Sequence, residues 1–150
     1  MSMLMSHRGD ARHIGQHDNG WVTFARTNDD RALMEARIMT GAVARKLDSL
    51  RTKGAMKNIE VANLLGTRPE TVSRWNQGRA YPHASTERTL LELEYIVDQL
   101  ADFHEPNEAR QWIFAPQKLL AGESPAELIR GGRIDEVMRL VNQLREAVHF

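Results

Sequence analysis

The 150-residue sequence contains no cysteine. Disulfides and thiolate zinc sites are therefore excluded, and an intracellular location is expected. Long hydrophobic runs are missing too. The opening MSMLM is too short for the apolar core of a signal peptide, and no later stretch approaches a membrane span, so a cytoplasmic protein is expected. Aromatic residues are scarce at 6%. No alternating strand pattern occurs anywhere. Net charge is also absent, with 20 basic and 20 acidic residues in balance.

What remains is ordinary for a globular chain: 41% hydrophobic and 27% charged residues, with seven methionines suited to an adaptable helical core. The length suffices for one domain, or for two small ones sharing a core. The charge balance hides an asymmetry. Residues 21–83 carry eleven Lys and Arg against six Asp and Glu, whereas residues 84–150 carry seven against twelve. A basic half followed by an acidic half points to two different partners, the first a polyanion.

Residues 1–27 lack sustained periodicity and read as a flexible N-terminal extension. His7, His13 and His17 stand there without companion carboxylates at fixed spacing, so no metal site is assigned. From Asn28 the pattern turns helical, with Leu33, Ala36, Val43, Leu47 and Leu50 on one face and a break at Gly54. A second run, Ile59 to Leu65, ends at Gly66. A third opens at Pro69 and ends at Gly78. The stretch ASTERTLLELEYIVDQLADF is expected to form the longest helix, with Leu90, Leu93, Ile96, Val97, Leu100 and Phe103 inward. Pro106, Pro116 and Pro125 divide the remainder into short helices. The fold class is all-α.

The run IEVANLLGTRPETVSRWNQGRAYP has the spacing of a helix-turn-helix over residues 58–78. Ala62 is small so that the second helix can cross close above it. Gly66 takes the turn, and Val72 and Trp75 face inward. Outward on the second helix stand Arg68, Glu70, Thr71, Ser73, Arg74 and Gln77, with Arg79 just beyond it. Arg can hold guanine bidentately, Gln can hold adenine, and Ser or Thr can reach a base or a phosphate. These seven are the candidate DNA-binding residues. Glu60 and Glu70 place acid on or near that surface, so two copies on two half-sites are the natural way to gain affinity.

The helix-turn-helix, with LLGTRPETVSRWNQG, resembles the Xre-type, lambda-repressor-like DNA-binding proteins. The stretch ARQWIFAPQKLLAGESPAELIRGGRIDEVMRLVNQL narrows the resemblance to the toxin-binding domain of the Xre/MbcA/ParS antitoxins. Trp112, Pro116, Leu119 with Leu120, Gly122, the Ser124–Pro125 pair with Leu128, and Val137 to Leu144 carry it. The residues also have their own local logic. Ser124 is an N-cap, Pro125 the first helical residue, and Glu127 completes a capping box. Gly131 and Gly132 stop that helix, and Asp135 and Glu136 favour the start of the next.

The resemblance implies a non-enzymatic antitoxin paired with a RES-domain toxin, an ADP-ribosyltransferase-like enzyme that hydrolyses or phosphorolyses NAD or uses it to modify a target. It implies that the antitoxin covers the toxin's active-site entrance and represses its own operon. On that reading residues 28–103 form a helical DNA-binding domain and residues 104–150 a toxin-binding domain. The expected toxin contacts are Trp112, Leu119, Ser124, Leu128, Arg133, Arg145, His149 and Phe150, the last three near the NAD pocket. Partners are the toxin, operator DNA and a second copy of the chain, in a homodimer or a higher toxin–antitoxin complex; Trp21, Val22 and Phe24 are candidates for a dimer contact. No catalytic residue, metal or cofactor is assigned. The competing reading is a stand-alone repressor whose C-terminal helices dimerise or sense a ligand.

Overall fold

A computed structural model describes residues 27–149, with the side chains of residues 27–29 and 39–40 left aside. The N-terminal histidines, Trp21, Val22, Phe24 and Phe150 lie outside the described residues. Every regular element among them is helical. The order is α1 (Thr27–Gly54), α2 (Asn58–Leu65), α3 (Pro69–Asn76), α4 (Ala84–Leu100), α5 (Pro106–Phe114), a 3-10 turn (Lys118–Leu120), α6 (Pro125–Arg130) and α7 (Ile134–Val148). The chain divides into two units, residues 1–39 and 40–150, with the boundary inside α1. No helix among the described residues is long and apolar enough to cross a membrane.

The sequence punctuation governs where the elements start and stop. Gly66 follows α2 in the left-handed region (φ 67°), where the Thr67 N–H reaches the Ala62 carbonyl at 2.9 Å and the turn to α3 closes. A side chain there would strain the backbone, so glycine sets the angle of the hairpin. Pro69, Pro106 and Pro125 each stand in the first turn of a helix, where the missing N–H has no partner to lose. The break after α1 works differently from the expectation. Ala55 takes the left-handed conformation (φ 48°), while Gly54 is buried where an added Cβ would sit 3.1 Å from Val97. Gly54 thus permits the close approach of α1 to α4.

In residues 40–150 a single hydrophobic cluster runs from Val43 on α1 to Val141 on α7. α4 lies along α7, and its Leu90, Leu93, Ile96, Val97 and Leu100 are all fully buried, as their spacing predicts. Phe103 packs on the edge of the cluster. Two expectations are corrected. α1 runs unbroken through its 28 residues from Thr27 to Gly54 and is longer than α4, with 17, which stops at Leu100 short of the expected Phe103. The face proposed for α1 holds only in part. Val43, Leu47 and Leu50 are buried, but Leu33 is 57% exposed and Ala36 is also exposed, both within the other unit.

Candidate functional site

The helix-turn-helix is built from α2 and α3. Ala62 is fully buried under the crossing, flanked by Val61 and Leu64, and Val72 and Trp75 close the other side at 0% and 5% exposure. The Asn58 amide donates across the pair to the Ser73 hydroxyl at 3.3 Å. With those positions turned inward, geometry fixes what α3 shows to solvent. Arg68, Glu70, Arg74, Gln77 and, beyond the helix, Arg79 are exposed, while Thr71 and Ser73 are half-buried. The turn after it is pinned by Tyr81, whose hydroxyl donates to Glu87 at the start of α4 at 2.7 Å.

Glu60 does not add negative charge to the α3 face. Its carboxylate accepts from the Lys57 N–H at 2.9 Å, capping α2, and forms a bidentate pair with the guanidinium of Arg110 on α5. Arg110 also stands over the Phe114 ring at 5.8 Å. The Arg110 hydrogen bond, aided by the Lys57 N–H, holds the Glu60 carboxyl below its usual value of 4.5 against the opposing effect of burial. A carboxylate with a depressed folded-state pKa contributes stability above the unfolded value and loses it as pH falls through the folded one. Glu60→Gln is therefore expected to cost about 1 kcal/mol at pH 7, the scale of a half-exposed pair. The difference from the parent should shrink below about pH 4.5 as both forms become neutral. Denaturant titrations at pH 7 and pH 3.5 measure both quantities.

The C-terminal segment is a scaffold of satisfied caps. The Glu127 N–H donates to Ser124 Oγ at 3.2 Å, and the Ser124 N–H donates to the Glu127 carboxylate at 2.7 Å. α6 ends with the Arg133 N–H on the Leu128 carbonyl at 2.7 Å. Ahead of it the 3-10 turn is held from both ends. Gln117 donates its side-chain amide to the Trp112 carbonyl at 2.9 Å, its N–H bonds the Glu123 carbonyl, and its carbonyl accepts from Gly122. Arg133 clamps Glu123 at 3.1 Å and Glu136 at 3.0 Å, tying the turn to the start of α7.

On this scaffold the expected contact residues separate by exposure. Leu119 is 70% exposed at the tip of the turn, whereas its neighbour Leu120 enters the core. Arg133 is half-exposed, and Trp112 is partly buried against the cluster. Ser124 and Leu128 are 5% and 1% exposed. They lie on the inward side of α6, where it packs on α2, α5 and α7, and so shape the platform without presenting surface to a partner. Arg145 donates to the Gln99 side chain at 3.1 Å, and His149 Nδ1 lies 3.0 Å from the Arg145 carbonyl. These two residues, with Gln99, Asp102 and Glu146, line a groove of about 470 Å³ between the ends of α4 and α7. Val148, at 61% exposure, adds an apolar group beside them that the sequence reading did not single out. Gln117 and Arg110 were missed as well. The Pro116–Gln117 turn was a local signal for the first, but nothing local marked the second. Among the described residues no group of three or more His, Asp or Glu is placed to hold a metal.

Residues 99–146 match the family description of the antitoxin Xre/MbcA/ParS C-terminal toxin-binding domain. Over 89 residues the chain is 34% identical to the mycobacterial cidal antitoxin MbcA of Mycobacterium tuberculosis and to that of Mycobacterium bovis, spanning 59% of this chain and 79% of theirs. The crystal structure of the M. tuberculosis MbcT–MbcA toxin–antitoxin complex contains a chain similar to this one, with 29% identity and a TM-score of 0.63. That match covers 71% of this chain and 96% of the other. With the helix-turn-helix and the capped C-terminal platform joined in one all-α core, the chain belongs to the Xre/MbcA/ParS antitoxins.

Proposed function

We propose that this chain binds a RES-domain, NAD-consuming toxin through residues 104–150, covers its active-site entrance, and represses its own operon through residues 28–103. The observation that carries the first part is the match along almost the whole of a chain from a toxin–antitoxin complex. The local physics supports it. Leu119 stands out on a turn whose backbone and side-chain hydrogen bonds are already made, so little ordering has to accompany binding. Arg133 at the start of α7 and Arg145, Val148 and His149 at its end offer exposed or half-exposed groups to a partner lying along the helix. We assign Leu119 as the apolar anchor and the end of α7, continuing to Phe150, as the part nearest the toxin's NAD pocket.

The DNA-reading part rests on α3. Its exposed Arg68, Arg74 and Gln77, with Arg79 beyond, supply forked and amide donors on one outward surface, and Glu60 is neutralised elsewhere. Arg74→Ala is expected to weaken binding to the operon's own promoter by about 1–3 kcal/mol, roughly 5- to 150-fold, if it reads a guanine. If it contacts a phosphate, the salt slope falls by about 1 instead. Fluorescence anisotropy at several salt concentrations separates the two, and circular dichroism should be unchanged because Arg74 is exposed.

Co-expression with the product of the adjacent reading frame tests the partner. This chain should co-purify with it on a single tag, and deleting residues 146–150 should weaken neutralisation of that product. Failure of the two proteins to associate would favour the stand-alone repressor.

A further inference from the structure

Among the described residues glycine takes the positive-φ positions 66, 78, 122 and 132, and alanine takes two more, Ala55 at φ 48° and Ala121 at φ 58°. In that left-handed region a Cβ crowds the following carbonyl oxygen, so an alanine there gives up stability that a glycine keeps. The two alanines differ in their surroundings. Ala55 is half-buried between Gly54 and Met56, both of which enter the core, so the chain itself partly covers its methyl. Ala121 is exposed, as are Lys118, Leu119 and Gly122 around it. No burial offsets its strain. Nor can the turn shed that strain by changing its angles. The Ala121 N–H donates to the Lys118 carbonyl at 3.2 Å, the Gly122 N–H to the Gln117 carbonyl at 2.9 Å, and the Glu123 N–H to the Leu120 carbonyl at 3.1 Å. Relaxing residue 121 would break these bonds and release Leu119 from its place.

We propose that the Ala121 methyl is itself a toxin contact, a specificity-determining group beside Leu119 that is kept at the expense of the chain's own stability. The inference rests on the reading of residues 104–150 as the toxin platform. A strained conformation persists where its surroundings over-determine it, and such positions gather at functional surfaces. Here the surroundings dictate the backbone angle, but nothing within the chain calls for a methyl group at that angle. The demand for it therefore comes from outside the chain. Of the apolar residues at 119–121, Leu120 enters the core while Leu119 and Ala121 stay outside. Leu119 offers a large apolar group and Ala121 a small one, two residues apart on one rigid turn. The partner that fits them has an apolar pocket for the leucine with a shallow, close-fitting rim for the alanine. Glycine at 121 would leave a gap in that rim, and a longer side chain would hold the two surfaces apart.

The test melts variants of the full chain alone and titrates them calorimetrically against the purified product of the adjacent reading frame. Ala121→Gly removes the methyl and the strain together. Its melting temperature should rise by about 1–4 °C, while its affinity falls about three- to tenfold, the scale of one methyl group in a close apolar contact. Ala121→Asn places a residue that tolerates the left-handed region. It should melt at or above the parent and bind at least about tenfold more weakly, because a polar group then meets the apolar rim. Ala55→Gly is the control and should leave affinity unchanged. An Ala121→Gly chain that binds as tightly as the parent overturns the proposal, as does an Ala121→Asn chain of undiminished affinity. A fall in melting temperature with Ala121→Gly also overturns it, since the methyl would then be serving the chain's own packing. So does an equal loss of affinity with Ala55→Gly. If Leu119→Asp abolishes binding while both Ala121 variants bind normally, the platform stands without Ala121. A parent chain that fails to bind the neighbour removes the platform and the proposal together.

Discussion

Leu119→Asp is expected to weaken toxin neutralisation by about a hundredfold, the effect of losing an interface anchor worth roughly 2–4 kcal/mol, while thermal unfolding stays within a degree or two. The two halves of that expectation have separate causes. Leu119 is 70% exposed, so the folded chain loses almost no burial when the side chain is replaced. Its surroundings are rigid for other reasons: Gln117 bonded at both backbone and amide, and the Glu123–Arg133–Glu136 clamp. A charge at the tip of such a turn must be desolvated against whatever apolar surface the toxin offers. Isothermal titration of the purified pair, with a melting curve of the variant alone, measures both. A variant that binds as well as the parent would remove Leu119 from the interface.

Leu128→Ala is expected to behave oppositely, destabilising the chain by about 2–5 kcal/mol through lost burial and the cavity left behind. That is a large share of the roughly 5–15 kcal/mol of a typical domain. Leu128 is 1% exposed on α6, and α6 packs on α2, the first helix of the helix-turn-helix, as well as on α5 and α7. The hydrophobic cluster extends through all of them. DNA binding and toxin neutralisation should therefore be lost together, in one cooperative transition followed by both fluorescence and circular dichroism. Two separate transitions, with DNA binding surviving the first, would show that the halves fold independently.

These two leucines mark how far the sequence could be read. Helix ends were legible because they depend on local chemistry. Gly66, Pro69, Pro106, Ser124 with Pro125, and Gly132 each act within a turn of where they stand. Buried faces were legible where periodicity was long, as on α4. The sequence reading placed Leu119, Ser124 and Leu128 together as contact residues, yet their exposures run from 70% to 1%. Apolar spacing within a six-residue helix does not say which neighbours will cover it, and α6 has neighbours on three sides. The Glu60–Arg110 pair was beyond reach for another reason. Its members are 50 residues apart and meet only because α2 and α5 flank the same core. Glu60 looked like a liability for DNA binding until its partner was in view.

The most direct test of the central claim is the NAD turnover of the purified product of the adjacent reading frame, followed while this chain is added in increasing amounts. The antitoxin account predicts that the neighbour alone consumes NAD. It further predicts that consumption stops at a fixed stoichiometry of added chain, with Leu119→Asp shifting the titration to higher concentration. Undiminished NAD consumption in the presence of excess folded chain would contradict it, and the C-terminal platform would then serve a partner other than that enzyme.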